Sequence, residues 1–222
     1  GLGSTSGGTI DFNVAGGTIN ISDTLEINVS GVGQSGLAKT DISLGAGFGT
    51  PLIGNGTGGS VTLNLGNGTF SANNILINAS GTGGTFNALQ GGTGTGGTVN
   101  LIKTGAGLLT LNTLALNVNG QGGAGGNNGL LAGGDGGTGQ AGTINVRVES
   151  GALEATSVSL SAQGIGGAGG DDTTAGGAGG AGLGGGVLFK IGADPTVGSL
   201  TINTSGVGGV GGGEPGRPYR DA

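Results

Sequence analysis

The sequence predicts an all-β protein, a parallel β-helix (β-solenoid) of about five three-stranded coils with glycine-rich loops and almost no α-helix. Two sets of five segments share one alternating apolar pattern, and each set recurs every few tens of residues, with glycine-rich stretches between the units. A supersecondary unit repeated at such intervals is typical of a solenoid. No ten-residue stretch shows the 3.6-residue apolar period of a helix, so the prediction contains almost no helix.

The first set of segments comprises 10–14, 61–65, 99–103, 144–148 and 187–191, and the second comprises 25–31, 75–81, 114–120, 158–164 and 200–206. Successive side chains of a strand point to opposite faces, so the first, third and fifth positions of each segment face inward. Of these 30 inward positions 28 are apolar, the exceptions being Lys103 and Thr204. Such strict alternation predicts ten stacked strands.

The second set supplies the predicted interior of the solenoid. Its expected core residues are Leu25, Ile27, Ile75, Ile77, Leu114, Leu116, Val158, Leu160, Leu200 and Ile202. Shorter apolar segments between the two sets, such as 19–21 and 109–111, predict a third strand in each unit. Glycines in the turns 66–68 and 105–107 indicate corners, where a positive φ is needed.

An asparagine column is expected on the outer surface of the second set. Its members are Asn28, Asn78, Asn117 and Asn203, with Ser161 at the equivalent position of the fourth unit. Amides stacked at the spacing of neighbouring strands can form a hydrogen-bonded ladder along the axis. A structural role is therefore predicted for them, with glycan binding as the alternative.

Glycine-rich returns join the units at 31–59, 81–97, 120–142 and 164–185. Such tracts usually behave as flexible coil. The returns leave at matching glycines, however, and two of them share a Gly-x-Gly-Gly-Ala-Gly-Gly phrase at 120–126 and 164–170. Ordered stacking and mobile loops both remain open, and a silk-like or disordered low-complexity chain is a further alternative.

One glycine-rich β-solenoid domain is predicted over 1–212, with units near 8–57, 58–95, 96–141, 142–184 and 185–212. The stretch 213–222 differs in composition and is expected to be a C-terminal tail or linker. Neither end contains a recognisable cap, which solenoids need to cover their open ends. Head-to-tail self-association, or continuation of a longer solenoid, is therefore expected.

Composition narrows the possible partners and functions. The 222 residues include 63 Gly but no Cys, His, Met or Trp, and a net charge of −6 arises from 6 basic and 12 acidic residues. An acidic, charge-poor chain lacks the clustered Lys and Arg that bind nucleic acids. No apolar run is long enough for a transmembrane helix. Because the chain begins without Met or a signal peptide, we expect a mature product or an excised segment.

Catalysis is not predicted. Without His or Cys, the Ser-His-Asp and Cys-His arrangements are impossible. The strand acids form two distant groups, Asp11 with Glu26 and Glu149 with Glu154, whereas carboxylate pairs that cleave glycosides lie about 5–10 Å apart. No cofactor is expected, and the weak metal candidates are Asp171 and Asp172, which follow the glycines of a partial calcium-binding nonapeptide.

Ice binding is a further alternative. An outward rank is formed by Thr9, Ser60, Thr98 and Thr143, as on a flat Thr-bearing solenoid. The neighbouring outward rank begins at Asp11 and ends at Leu188, and it is not a second row of Thr. The pattern therefore makes ice binding a minor alternative for this surface.

A family resemblance is carried by residues 99–111. Their phrase Lys103-Thr104-Gly105-Ala106-Gly107, followed by Leu109 and Leu111, resembles the strand repeat of bacterial autotransporter passengers. Periodicity and composition also resemble filamentous-haemagglutinin-type β-helix adhesins. The resemblance implies export to an extracellular or bacterial cell-surface location and a role as an adhesin or matrix component. The resulting prediction is a non-enzymatic structural or adhesive solenoid that forms filaments end to end. The alternatives are a passenger that binds surface glycans, an ice-binding protein and a polysaccharide-active β-helix enzyme.

Overall fold

The chain folds as a parallel β-solenoid of five coils. The computed structural model describes residues 3–35, 54–85, 90–127, 132–172, 174–192 and 195–213. These residues form twenty strands and no helix, and every strand pairing is parallel between successive coils. The predicted fold class is therefore confirmed. None of the described segments is a helix long and apolar enough to cross a membrane.

Four five-stranded sheets run along the axis. The first core sheet contains β2 (Thr9–Val14), β6 (Ser60–Leu65), β10 (Thr98–Lys103), β14 (Thr143–Val148) and β18 (Gly186–Ile191). The second core sheet contains β3 (Thr18–Asn28), β7 (Thr69–Asn78), β11 (Leu109–Asn117), β15 (Leu153–Ser161) and β19 (Thr196–Asn203).

The other two sheets are built from two-residue strands in the glycine-rich returns. The outgoing glycine sheet contains β4 (Gly31–Val32), β8 (Gly81–Thr82), β12 (Gly120–Gln121), β16 (Gly164–Ile165) and β20 (Gly206–Val207). The returning glycine sheet contains β1 (Thr5–Ser6), β5 (Gly56–Thr57), β9 (Gly94–Thr95), β13 (Gly139–Gln140) and β17 (Gly182–Leu183).

The coil differs from the expected three-strand pattern in two respects, a merged strand and two additional short strands. The short segment around Ile19 and the second repeated segment form one continuous strand, as in β7 and β11. Their side chains keep facing the same core on both sides of the junction. In the first coil an extra residue is absorbed by a register shift between Ile21 and Thr24. Each coil therefore contributes two long strands to the core and two short glycine strands to the returns.

The apolar core lies between the two core sheets. The predicted file Ile27, Ile77, Leu116, Leu160 and Ile202 is aligned strand by strand. Ile75, Leu114 and Leu160 are fully buried, and Ile77 is 2% exposed. The exceptions lie at the ends: Leu25 is half-buried, and Leu200 and Ile202 are 46% exposed because no described residue covers the last coil.

Glycine at the corners serves close packing more than positive φ. Positive φ is found at Gly17 and Gly151. At Gly105, a Cβ would lie 2.2 Å from the Cα of Asn67, and at Gly107 it would lie 2.1 Å from the carbonyl oxygen of Gly68. Successive corners thus stack so closely that a side chain has no space.

The two glycine sheets pack face to face through backbone hydrogen bonds. One zigzag of bonds alternates between outgoing and returning arms, with each N–H donating to the carbonyl of the preceding member at 2.8–2.9 Å. Its members are Gly54, Gly84, Gly92, Gly123, Gly137, Gly167, Gly180 and Gly209. The described parts of the glycine-rich returns are therefore ordered, which answers the question that the sequence left open.

These arms have a three-residue period. Gly122 and Gly125 donate to the next coil's Ile165 and Ala168 at 2.8 Å, while Gly123 donates across to the returning arm. Three residues per turn is the period of polyproline II, whose backbone has no internal hydrogen bonds and so leaves every N–H free for a neighbour. The first two residues of most described triplets are glycines facing neighbouring backbones, and the third residue points outward; in the first coil Gln34 takes the second position.

Candidate functional site

Outward residues of the glycine arms accept hydrogen bonds from backbone N–H groups of the next coil. Asn55 Oδ1 accepts a 2.8 Å hydrogen bond from the N–H of Thr93, and Asp135 Oδ1 accepts one from Ala178 at the same distance. Asn127 and Asp171 do the same for the coils that follow them. Short oxygen-bearing side chains therefore join one coil to the next at N–H groups that have no backbone acceptor in the glycine ladders.

The predicted metal candidates take part in this network. Asp171 Oδ1 accepts a 2.6 Å bond from the N–H of Gly213, and Asp172, which is 4% exposed, accepts one from the N–H of Thr174 at 3.2 Å. No cluster of three or more metal-ligating side chains occurs in the described part of the chain. The structure thus gives Asp171 a backbone-capping role that the nonapeptide resemblance did not suggest.

The asparagine column forms, but its hydrogen bonds differ from the expected ladder. Asn28, Asn78, Asn117, Ser161 and Asn203 align in register. Each asparagine Oδ1 accepts a bond of 3.0–3.2 Å from the N–H two residues further along its own chain. This is an Asx turn, and it positions the corner that leads into the outgoing glycine arm. The prediction of an amide ladder in this column was wrong.

Amide contacts between coils occur instead at positions that the sequence analysis did not select. Asn64 Nδ2 donates to Asn13 Oδ1 at 2.7 Å, and Asn145 Nδ2 donates to Asn100 Oδ1 at 2.8 Å. Both pairs lie on the outer face of the first core sheet. The sequence does contain a signal for these contacts, because asparagine occupies the same position in two adjacent segments of the first set, at Asn13 and Asn64 and again at Asn100 and Asn145.

The carboxylates that were considered for catalysis are spread over the surface. Asp11 is exposed on β2, and Glu26 is exposed on β3 of the other core sheet. Glu149 forms a 2.7 Å ion pair with Arg147, while Glu154 lies on β15. The first group thus belongs to the first coil and the second group to the fourth, the separation between groups that the sequence analysis expected.

Lys103 occupies an inward position in the wall of the core. Its side chain is fully buried, and its ammonium donates to the carbonyl oxygens of Gly66 at 2.6 Å and Gly105 at 2.7 Å. Burial removes water from the ammonium and lowers the pKa of Lys103 below its usual value of 10.5. The lysine joins the corners of two coils, a function that its position in the alternation did not reveal.

The threonine rank considered for ice binding is aligned on the first core sheet. Thr9, Ser60, Thr98 and Thr143 are direct neighbours across successive strands. In the last coil the same position is Gly186. The next outward rank contains Asp11, Thr62, Asn100 and Asn145, so the surface beside the hydroxyls is largely amide and carboxylate.

A shallow groove of about 460 Å³ lies on the outer face of the second core sheet. Its polar lining includes Glu26, Asn78, Asn117 and Asn119, together with the hydroxyls of Ser159 and Ser161. No aromatic residue lines it. Amides, hydroxyls and one carboxylate can hydrogen-bond to a sugar, but an aromatic platform for its apolar face is absent from this groove.

Both end faces of the described solenoid are open and partly apolar. On the last coil, Leu200 and Ile202 are 46% exposed, and Phe189 is half-buried. On the first coil, Ile10 is 37% exposed, while Phe12 is half-buried and touches Phe70 edge to face at 6.4 Å between ring centroids. Each end thus presents the cross-section of the core.

The end faces also present complementary backbone groups. In the second core sheet and outgoing arm, an N–H of one coil donates to a carbonyl of the next, as from Val29 to Asn78 and from Gly31 to Ser80. In the last coil the equivalent donors are Thr204, Gly206 and Gly208. In the first coil the equivalent acceptors are Asn28, Ser30 and Val32. In the first core sheet the donation runs the other way, as from Gly66 to Val14 and from Thr104 to Leu65. Each end therefore presents both donors and acceptors, and those of one end complement those of the other.

Comparison of the chain with protein-family models, curated proteins and solved structures finds no match. Function is therefore inferred from the geometry of the molecule. Its most specific features are the two complementary end faces.

Proposed function

We propose that this chain is a non-enzymatic structural module of a bacterial cell surface or extracellular matrix, and that its coils stack end to end into a longer solenoid. The observation that carries the proposal is the pair of open ends, which present the same repeat in complementary form. Exposed apolar core is costly in water, and the unpaired ladder groups form a template for pairing with another strand edge. A low surface charge adds little repulsion between neighbouring molecules.

Adhesion is a natural use of such a module. The outward side chains of the solenoid are mainly amides and hydroxyls, and repetition of coils along the axis of an assembly would multiply weak contacts. The alternative, a passenger that binds glycans through one site, is supported by the groove around Asn78 and Asn117. Glycan arrays would separate the two, because a dedicated site gives saturable binding that Asn117→Ala removes.

Sedimentation velocity over a range of concentrations, with electron microscopy of the same samples, tests the assembly. Wild-type protein is expected to form rods of increasing length. A variant with Leu200→Lys and Ile202→Lys should stay monomeric, since both side chains are already half exposed in the monomer and the new charges would be buried against the apolar core of a second copy. Uniform monomers of wild type at high concentration would overturn the proposal.

Export is tested separately in the source cell. Antibody labelling of intact cells is expected to detect the chain outside the cell envelope. Labelling that appears only after the cells are lysed would contradict a surface location.

A further inference from the structure

We propose that the junction between two copies has one defined register, in which the first coil of one copy continues the ladder of another copy's last coil as a sixth coil. This inference rests on the end-to-end assembly proposed above and specifies the partner as a second copy of this chain. In this register Ile27 follows Ile202, and Phe12 follows Phe189. The evidence is the correspondence between the two end coils, position by position.

Inward residues of the two end coils match in kind. The register of the internal coils places Val187, Phe189 and Ile191 in the files that begin with Ile10, Phe12 and Val14. It likewise places Leu200 and Ile202 in the files of Leu25 and Ile27. Stacking in this register sets aromatic on aromatic and aliphatic on aliphatic, and it buries the side chains that the free ends expose.

An outward column of the outgoing glycine sheet supports the same register. Its members are Val32, Thr82, Gln121, Ile165 and Val207. The two ends of this column are valines, which are 59% and 46% exposed, while the second and third members are polar. The proposed junction makes Val32 and Val207 direct neighbours, so the exposed apolar surface at each end is covered by the other.

Charges at the junction are also complementary. The described residues of the first coil carry Asp11, Asp23 and Glu26 and no basic residue, whereas the last coil carries Lys190 on β18. In the proposed register Lys190 lies opposite Asn13 of the second copy, with Asp11 two residues away on the same face. Diagonal neighbours in a sheet are about 7–8 Å apart, within reach of a long lysine side chain.

Disulfide cross-linking tests the register, and the absence of native cysteine makes every thiol an engineered one. The matched variant carries Glu26→Cys and Thr201→Cys, which become direct neighbours only across the junction. Within one copy these positions are four coils apart, about 19 Å at 4.8 Å per coil, too far for a disulfide. Oxidation with diamide is expected to give a ladder of covalent dimers, trimers and longer species on a non-reducing gel.

Two control variants define the result. Glu26→Cys with Ser199→Cys shifts the pair by two residues on the same face, beyond the span of a disulfide, and is expected to give at least tenfold less cross-linked product. Ser159→Cys with Thr201→Cys lies in adjacent coils of one chain and should form an internal disulfide, confirming that the oxidation works at this site.

The outcomes separate the register from the assembly. Rods that form normally but cross-link equally in the matched and shifted variants, or more in the shifted one, overturn the register and leave the assembly standing. Absence of any association in sedimentation overturns both proposals. A Lys190→Glu variant adds an independent readout: association should weaken about two- to fivefold, and Asp11→Lys in the same chain should restore it.

Discussion

The ammonium of Lys103 donates a 2.6 Å hydrogen bond to the carbonyl oxygen of Gly66, in the coil before its own. A second bond, of 2.7 Å, leads to Gly105 at the next corner. At the same inward position the neighbouring coils carry Leu65 and Val148. Lys103 thus occupies a core position that is aliphatic in the neighbouring coils, and its ammonium donates hydrogen bonds to two corner carbonyls.

Replacing Lys103 by Met should destabilise the fold by about 1–3 kcal/mol, because two corner carbonyls lose their donor. Thermal or denaturant unfolding measures the effect. Arg147→Met is the control: its side chain is 43% exposed, so its change should stay within about 0.5 kcal/mol. Equal stability of the two variants would show that the buried ammonium contributes nothing.

The same lysine should make stability depend on pH. Burial lowers the pKa of Lys103 below 10.5, so between its folded-state pKa and 10.5 the unfolded chain binds more protons than the folded one. Stability therefore rises with pH in this window. The neutral amine retains two N–H groups, enough for both carbonyls. Unfolding of wild type and Lys103→Met should be followed up to pH 10.5, and parallel pH profiles would contradict the shift.

Gly123→Ala should disrupt the packing of the outgoing and returning glycine sheets. The new Cβ would lie 2.0 Å from the backbone oxygen of Gly84, so the outgoing arms of the second and third coils must move apart, at an expected cost of about 1–3 kcal/mol. Gly8→Ala is the matched control, since nothing lies within 4 Å of its Cβ. Hydrogen exchange would show faster exchange around Gly92 and Gly137 in the first variant alone. Unchanged protection there would contradict the packed arms.

The sequence was sufficient to predict the core but not the packing of the two glycine sheets, because only the core produces a side-chain pattern. An inward-facing Ile77 or Leu116 is part of a two-residue alternation that can be recognised without a structure. The glycines have no side chains to produce such a pattern. Their three-residue period becomes apparent only when outgoing and returning arms lie together. Likewise, the partner of Asp171 is Gly213, 42 residues away, so local sequence could not reveal its role.

Ile77→Asp should abolish cooperative unfolding. Ile77 is 2% exposed between Ile27 and Leu116, and a carboxylate there would be buried without a partner, which costs more than about 4 kcal/mol. Asn78→Asp is the neighbouring control. Its Oδ1 would still accept the bonds from Ser80, so folding should persist. Circular dichroism melts of both variants measure this. A normal melt for Ile77→Asp would place that side chain outside the core.

Asp171 should behave as a structural acceptor rather than a calcium ligand. Asp171→Asn keeps an Oδ1 that can accept the N–H of Gly213, so its melting temperature should match wild type. Asp171→Ala leaves that N–H without its acceptor and should lose about 1 kcal/mol. Melting with calcium and with a chelator distinguishes the two roles. A bound ion that prefers the folded state raises the melting temperature with its concentration. A calcium-dependent rise in wild type that is absent from Asp171→Asn would establish the metal site and refute the structural assignment.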